Sequence, residues 1–289
     1  MHNIQGTPEW LESRRNYIGA SEAPIIAGIR KFRTNDGRLK TKYLLWREKV
    51  GLETMDCDNH ATRFGKDMEQ TARDAYIALK GISVAPTIVN HPIHDFIRSS
   101  MDGVSEDGKT AVEIKCANKE DHNEAFLGKI PAHYYPQVQH QLACLGLDSM
   151  DYFSYHQGQG IIVEVIRDPC YIDQLMKDEI AFWECVTELT EPPLCADDYV
   201  DQDEDWADCA EKLWELKEAI KLLEEREKCL EEKLKTLSDG KNSMGGGFAY
   251  TNSARKGSID YALVCKQVEV DLEKYRKPAT LTWRLKKWN

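Results

Sequence analysis

The chain has 289 residues, 42% hydrophobic and 30% charged, with a formal net charge of −11 and nine cysteines. Its apolar content is ample for one large domain or two, no apolar block is long enough to span a bilayer, and the first residues carry no signal-peptide pattern, so a cytoplasmic chain with no membrane partner is expected. An odd, scattered cysteine set without C-x-x-C fits reduced packing thiols better than a disulfide framework or a zinc finger, and weakens an iron–sulfur reading.

In chain order, a helical N-terminal region comes first. Gly19–Pro24 reads as a helix start, with Ser21 as N-cap and Pro24 tolerated in the first turn. The free N–H groups of such a start favour a phosphate, and Arg14 nearby adds charge; an ordinary N-cap with a solvated Arg14 fits the same residues. Arg30–Lys42 carries six basic residues and one acid around the turn-like Asn35-Asp-Gly37. It reads as a mobile loop able to track a nucleic-acid backbone, or as a solvated loop. Such local charge matters more to DNA binding than the acidic total, because excess acid elsewhere repels DNA from other paths. Met68–Leu79 is amphipathic, opened by Glu69 as a first-turn acid and stopped at Gly81.

Strands are expected at Ile82–Asn90, His94–Asp102 and Thr110–Cys116. Asp107-Gly108 suits positive φ at both centres of a two-residue hairpin turn. Paired positions then sum to 215, and Asp102 faces Glu113 with Cβ atoms about 5 Å apart. Like charges so placed are destabilising unless a divalent cation offsets them. Glu113 and Lys115 share one strand face, while Val112 and Ile114 point to the other, toward a core. Two acids and an amine at one point suit phosphodiester hydrolysis with Mg²⁺. Lys115 is placed to orient water, to accept its proton if its pKa is depressed, or to stabilise developing charge. An exposed polar hairpin is the alternative, and a bulge would shift the register.

Helices are expected at Glu120–Leu127 and Gln137–Gly146, the latter with Gln137 and Gln141 one turn apart, a placement that also fits two surface amides. His133 and His140 are read as hydrogen-bonded or solvated in preference to metal ligands. Met150–His156 and Ile161–Ile166 form a second hairpin over Gln157–Gly160, and Tyr171–Leu189 is a further helix. Glu191-Pro-Pro193 and the acidic run Asp197–Asp205 mark a boundary.

The spacing of Asp102, Glu113 and Lys115, D-x10-E-x-K, resembles the PD-(D/E)XK nuclease motif, with Met101 in place of the usual proline. Together with Tyr17-Ile-Gly-Ala-Ser-Glu22, Gly65-Lys-Asp-Met-Glu69 and Pro136-Gln-Val-Gln-His-Gln141, in that order, it resembles the YqaJ-type viral recombinase, or phage lambda exonuclease, family over about the first two thirds. The resemblance implies metal ligation by Asp102, Glu113 and the Ile114 carbonyl, support from Glu69, and catalysis by Lys115 assisted by Gln137. It places Arg14 and Ser21 at a terminal 5′-phosphate. It further implies an α/β, restriction-endonuclease-like core with a central mixed sheet flanked by helices. The implied activity is 5′-to-3′ exonuclease digestion of linear double-stranded DNA, leaving 3′ overhangs for single-strand annealing recombination. Mg²⁺ is implied as cofactor, as two ions for which Mn²⁺ substitutes, with a homotrimeric ring, double-stranded DNA ends and a single-strand annealing protein as partners, and a phage or prophage origin. A structure- or site-specific endonuclease on the same core, and a non-catalytic DNA-binding or assembly protein, are the other two readings.

The expected organisation is a nuclease core at 1–195, a long amphipathic helix at 201–239 and a basic, aromatic β appendage at 241–289. Leu213, Leu216, Ile220, Leu223, Leu230, Leu234 and Leu237 form one seam, broken by Glu227. Net charge flips from −7 over 201–239 to +6 over 241–289, with Gly245–Gly247 as hinge and strands expected at Ser258–Val264 and Thr280–Leu285. The aromatic and basic tail suits contact with nucleic acid or with its own chain.

Overall fold

The computed structural model describes residues 13–54 and 60–252, the stretch 60–67 by backbone alone, and the isolated positions 257, 261, 264, 276 and 278. It divides at Tyr199 into two units. The first is built on a six-stranded mixed sheet. Its main path runs β1 (Ile18–Gly19), β3 (Ile97–Ser105), β4 (Ala111–Cys116), β5 (Ser149–His156) and β6 (Gln159–Ile166), and β2 (Val84–Asn90) pairs β3. The β1·β3 and β4·β5 pairs are parallel and the rest antiparallel. A parallel pair needs a long crossover, supplied between β4 and β5 by α4 (Lys119–Phe126) and α5 (Tyr135–Leu145). The remaining helices of this unit are α1 (Ala23–Ile26), α2 (Lys42–Val50), α3 (His60–Lys80) and α6 (Pro169–Thr187). The expected central mixed sheet flanked by helices is therefore present.

Strand alternation decides which helix covers which face. Val112 and Ile114 join Ala72 and Tyr76 of α3 and Phe153 of β5 in one core cluster. Met101 and Tyr152 pack with Val138 and Leu142 of α5 in another. A third cluster joins Ile18, Tyr43, Leu45 and Trp46 to Phe182 and Val186 of α6. Glu113 and Lys115 thus face α5, as their spacing predicts.

Local differences from the sequence expectations have local causes. The β3–β4 pairing, Gly103↔Val112 and Val104↔Ala111, keeps the 215 register, but the turn is not the two-residue type. Only Gly108 has positive φ. Ser105 O accepts from Gly108 N, and the Asp107 carboxylate accepts from Ser105 Oγ and Lys109 N, closing a four-residue loop. Ser21 is not an N-cap. It lies inside a 3₁₀ turn, Ala20–Glu22, where the Glu22 side chain accepts from Gly19 N at 2.9 Å, and the α-helix behind it is one turn long. Residues 18–19, expected in a helical region, add a parallel strand to β3. Glu69 lies midway along α3, which begins well before it. The basic stretch 30–42 is not a free loop: an Arg33↔Leu39 bridge closes it, and Arg30, Lys31, Arg38 and Lys40 pair with Asp197, Asp121, Glu53 and Glu48.

The second unit holds α7 (Glu204–Ser238) and a hairpin of β7 (Ser243–Gly245) and β8 (Phe248–Tyr250). The seam residues of α7 are exposed, from 46% at Leu213 to 82% at Leu237. Gly246 and Gly247, both at positive φ, form the turn of this hairpin, so the glycines are a turn and not a hinge. Of the strand expected at 258–264 only Tyr261 and Val264 are described, and both are helical, since residues three apart satisfy a helix period as well. The strand expected at 280–285 lies outside the described residues. The seven described cysteines are free, and no helix among the described residues is long and apolar enough to cross a membrane.

Candidate active site

The site opens where β3 stops following its neighbours. Against β2, Ala85 pairs Val104 and Thr87 pairs Met101, so Asp102 and Gly103 together oppose Pro86. Proline has no N–H for the ladder, and the extra residue is a bulge that re-aims its strand. Gly103 is required there. A Cβ on it would lie 2.6 Å from Val84 Cγ2 and 2.9 Å from Val112 Cγ1.

Against β4, pairing ends at Gly103↔Val112. The next position, Asp102 against Glu113, is the non-hydrogen-bonded kind that brings side chains closest. One step further, Ile114 N donates to Asp102 Oδ2 at 2.8 Å in place of a β3 carbonyl. In an antiparallel ladder a residue uses its N–H and C=O on the same side, so the Ile114 carbonyl faces the same opened edge. β2 occupies the other edge of β3 as far as Arg98. The pairs Ile18↔Ile97 and Gly19↔Arg98 therefore form on the β4 side, which brings the Arg14–Glu22 segment to the mouth of the gap.

Glu113 is 2% exposed and accepts from three donors: Gln137 Nε2 at 2.6 Å, Gln141 Nε2 at 2.5 Å and Lys115 Nζ at 2.6 Å. One of these donors is cationic, and all three fix the orientation of the carboxylate. Burial and the Glu113 charge push the Asp102 carboxyl well above its usual range, against Lys115 and the Ile114 N–H. Burial alone would lower Lys115, but Glu113 overrides it and raises the ammonium above the usual lysine range. In this arrangement Lys115 Nζ is a hydrogen-bond donor to Glu113. Its Nζ also lies 5.0 Å from the Tyr134 ring centroid, a cation–π contact.

The structure brings Asp102, Glu113, Ile114, Lys115 and Gln137 together. Glu69 arrives indirectly: it is paired with Arg73, whose Nε donates to the Asp102 carbonyl at 2.8 Å. Arg73 escaped the sequence reading. Its only signal is its place one helical turn after Glu69. Gln141, quoted in the motif but given no role, is the second amide on Glu113, and the four-residue spacing from Gln137 was its signal. Arg14 and Ser21 are joined at 3.2 Å, and Arg14 also pairs Glu22 at 2.8 Å. Beneath them the fully buried Lys49 Nζ contacts Glu22 Oε2 at 2.7 Å and the Arg14 and Tyr17 carbonyls at 2.6 and 2.5 Å. Neither histidine joins the acids. His133 contacts Lys31 and Asp121, and His140 contacts Glu179.

A sequence profile of YqaJ-like viral recombinase domains matches residues 9–148. The Uncharacterized protein YqaJ of Bacillus subtilis (strain 168) is 33% identical over 181 residues, covering 61% of this chain and 54% of that protein. The chain thus spans about half the length of the curated relative it matches. Among solved structures, the alkaline exonuclease LHK-Exo from Laribacter hongkongensis is 25% identical, with a TM-score of 0.53 over 64% of this chain and 94% of its own. The same exonuclease in complex with dAMP gives 0.55 over the same coverage. The matched span contains the bulged Asp102, the Glu113–Lys115 strand and both glutamines, so these residues of the site all lie within the stretch of this chain that is similar to YqaJ-like viral recombinase domains.

Proposed function

We propose that the chain is a Mg²⁺-dependent exonuclease that digests the 5′-ended strand of linear double-stranded DNA and leaves a 3′ overhang. The observation that carries this is the bulge-apposed pair Asp102 and Glu113 with Lys115 and two buried amides fixed on Glu113, in a fold similar to an alkaline exonuclease. Its likeness to a structure holding dAMP supports a nucleotide-binding cleft.

The donor set fits a divalent metal. Two carboxylates and one ammonium leave an excess of negative charge, and all available donors are hard oxygens. Among the described residues no third carboxylate, histidine or cysteine closes into a ready-made cage, which suits Mg²⁺, commonly held by one or two carboxylates plus substrate phosphates. Asp102, Glu113 and the Ile114 carbonyl would hold it, and Mn²⁺ satisfies the same donors. When bound, such an ion supplies Lewis-acid polarisation of the phosphodiester and a more acidic water. Gln137 and Gln141 keep Glu113 turned to the gap. Lys115 donates a hydrogen bond to the attacking water or to charge developing on the phosphate. Arg14 and Ser21 grip the terminal 5′-phosphate, and Glu69 supports Asp102 through Arg73. A homotrimeric ring around DNA, and an annealing protein that takes up the 3′ strand, complete the reading.

End-labelled linear duplex with Mg²⁺ tests it. Wild type should consume the 5′-ended strand and leave closed circular duplex intact, whereas Asp102→Ala and Glu113→Ala should bind DNA without cutting. Near-normal digestion by Glu113→Ala overturns the site, and digestion starting from 3′ ends overturns the polarity. Cutting of closed circles would favour the endonuclease reading.

A further inference from the structure

We propose that His140 is a positioning residue for Glu113: an imidazolium clamped between Glu179 and the Arg98 carbonyl that sets the rotation of α5, so that Gln137 and Gln141 reach the carboxylate together. The proposal rests on the nuclease reading for its purpose, but its geometry stands independently.

α5 buries four consecutive-turn polar residues, Gln137, Gln139, His140 and Gln141, three of them fully. Burying such groups is costly unless they are hydrogen-bonded, and each of the four residues makes at least one such bond, although Gln141 Oε1, and Glu179 Oε2 opposite His140, are buried without a partner. Gln137 and Gln141 donate to Glu113. Gln139 donates to Ile166 O at 2.9 Å and accepts from Asp168 N at 3.0 Å. His140 places Nδ1 2.8 Å from Glu179 Oε1 and Nε2 3.1 Å from Arg98 O.

A carbonyl oxygen only accepts, so Nε2 carries a proton, and the carboxylate at Nδ1 takes the second. Glu179 and His140 are both fully buried, so an unmatched charge on either would be severely destabilising. At about 100° per residue, Gln137 and Gln141 lie about 40° apart on α5, with His140 about 60° to one side. The two amides fix the helix to β4. His140 fixes it to β3, four residues before Asp102, and to α6. A rotation that released His140 would move both amides relative to Glu113, and of the four residues only His140 changes charge.

The groups that act on it are Glu179 from α6, Cys144 on α5 itself and His91 in the loop after β2, while Arg98 contributes its carbonyl and Tyr171 of α6 lies near Glu179. Burial alone would lower the imidazolium and Glu179 overrides it, holding it well above the usual 6.5. Its stabilisation is therefore full below about 6.5 and is lost as pH rises through the raised value. Above that value the Nδ1 lone pair faces a carboxylate and the clamp opens.

Nitrogen-15 NMR of the full chain and calorimetric Mg²⁺ titration test this without any DNA cleavage. Wild type should show both His140 ring nitrogens protonated at pH 8, and Mg²⁺ affinity that weakens as His140 loses its proton. Glu179→Gln should keep the fold, carry a neutral His140 with its proton on Nε2 and the new amide donating to Nδ1, and bind Mg²⁺ without that alkaline loss. His140→Leu should weaken Mg²⁺ about tenfold, the lower end for residues that orient a metal ligand, with salt-dependent DNA affinity unchanged. A neutral His140 in wild type at pH 8, an alkaline loss that survives in Glu179→Gln, or unchanged Mg²⁺ affinity in a folded His140→Leu overturns the proposal. A wild type that binds Mg²⁺ as described yet never cuts linear duplex would sink the nuclease reading and leave the clamp standing.

Discussion

Glu113 is held by three donors, and those donors differ in what they contribute. Gln137 and Gln141 each give a hydrogen bond to a charged acceptor, worth about 1.5–3 kcal/mol, whereas Lys115 also neutralises the charge. Gln137→Leu or Gln141→Leu should therefore raise the Mg²⁺ concentration needed for half-maximal digestion and leave slow turnover. Lys115→Ala should abolish turnover while metal still binds. A Mg²⁺ titration of digestion rate for the three variants checks this; a Gln141→Leu curve superimposable on wild type would deny that amide its role. The apposition of Asp102 and Glu113 was legible because register follows from parity along two strands, and parity survived a wrong turn type. The second amide was not legible as such. A helical repeat places Gln137 and Gln141 on one face but does not say whether that face meets solvent or a carboxylate. Ser21 was misread for a related reason: Ser, Pro and free N–H groups do suggest a cap, but the helical turn starts two residues earlier at Gly19, whose N–H donates to the Glu22 carboxylate, and this leaves Ser21 inside the turn.

At the scale of elements, the Arg14–Glu22 segment, proposed to grip a 5′-phosphate, rests on a buried ion pair. Glu22 is 2% exposed and the Lys49 side chain 0%. Burial would raise the Glu22 carboxyl, but Lys49 and then Arg14 outweigh it and hold it at about 2. Because this pKa is depressed, its stabilisation is full above the ordinary carboxylate value and is lost as pH falls toward about 2. Glu22→Gln leaves Lys49 buried without its counter-charge, a loss of about 3–5 kcal/mol. Urea denaturation at pH 7 should show that loss, and the variant should be less sensitive than wild type to acid between the two pKa values. A variant as stable as wild type at pH 7 would mean that the pair contributes nothing net. Glu22 also tempers Arg14, so the preference for a 5′-phosphate end over a 5′-hydroxyl end should be present in wild type and shrink in Arg14→Ala. Equal rates on the two ends in wild type would remove the pocket. None of this platform was visible from sequence, since Lys49 lies on another helix and contacts Glu22 only through tertiary packing.

For the whole molecule, the question is which residues the first unit needs. The three core clusters are drawn from residues between Ile18 and Val186, and the apolar seam of α7 is exposed. Residues 201–239 and 241–289 carry −7 and +6, so removing both changes the net charge by one unit while removing a strongly basic segment. A chain ending at Tyr199 should therefore keep its unfolding temperature to within about 2–4 °C, the shift expected for about 1 kcal/mol in a domain of this size. It should still digest linear duplex. If the basic tail touches phosphates in the intact chain, each lost contact should make the fall of binding with salt shallower by about 0.9 in the log–log slope. Thermal unfolding and a salt titration of DNA binding for the two lengths separate these effects. A large drop in unfolding temperature would show that the C-terminal segments belong to the core after all, and an unchanged salt slope would take the tail out of the DNA contact.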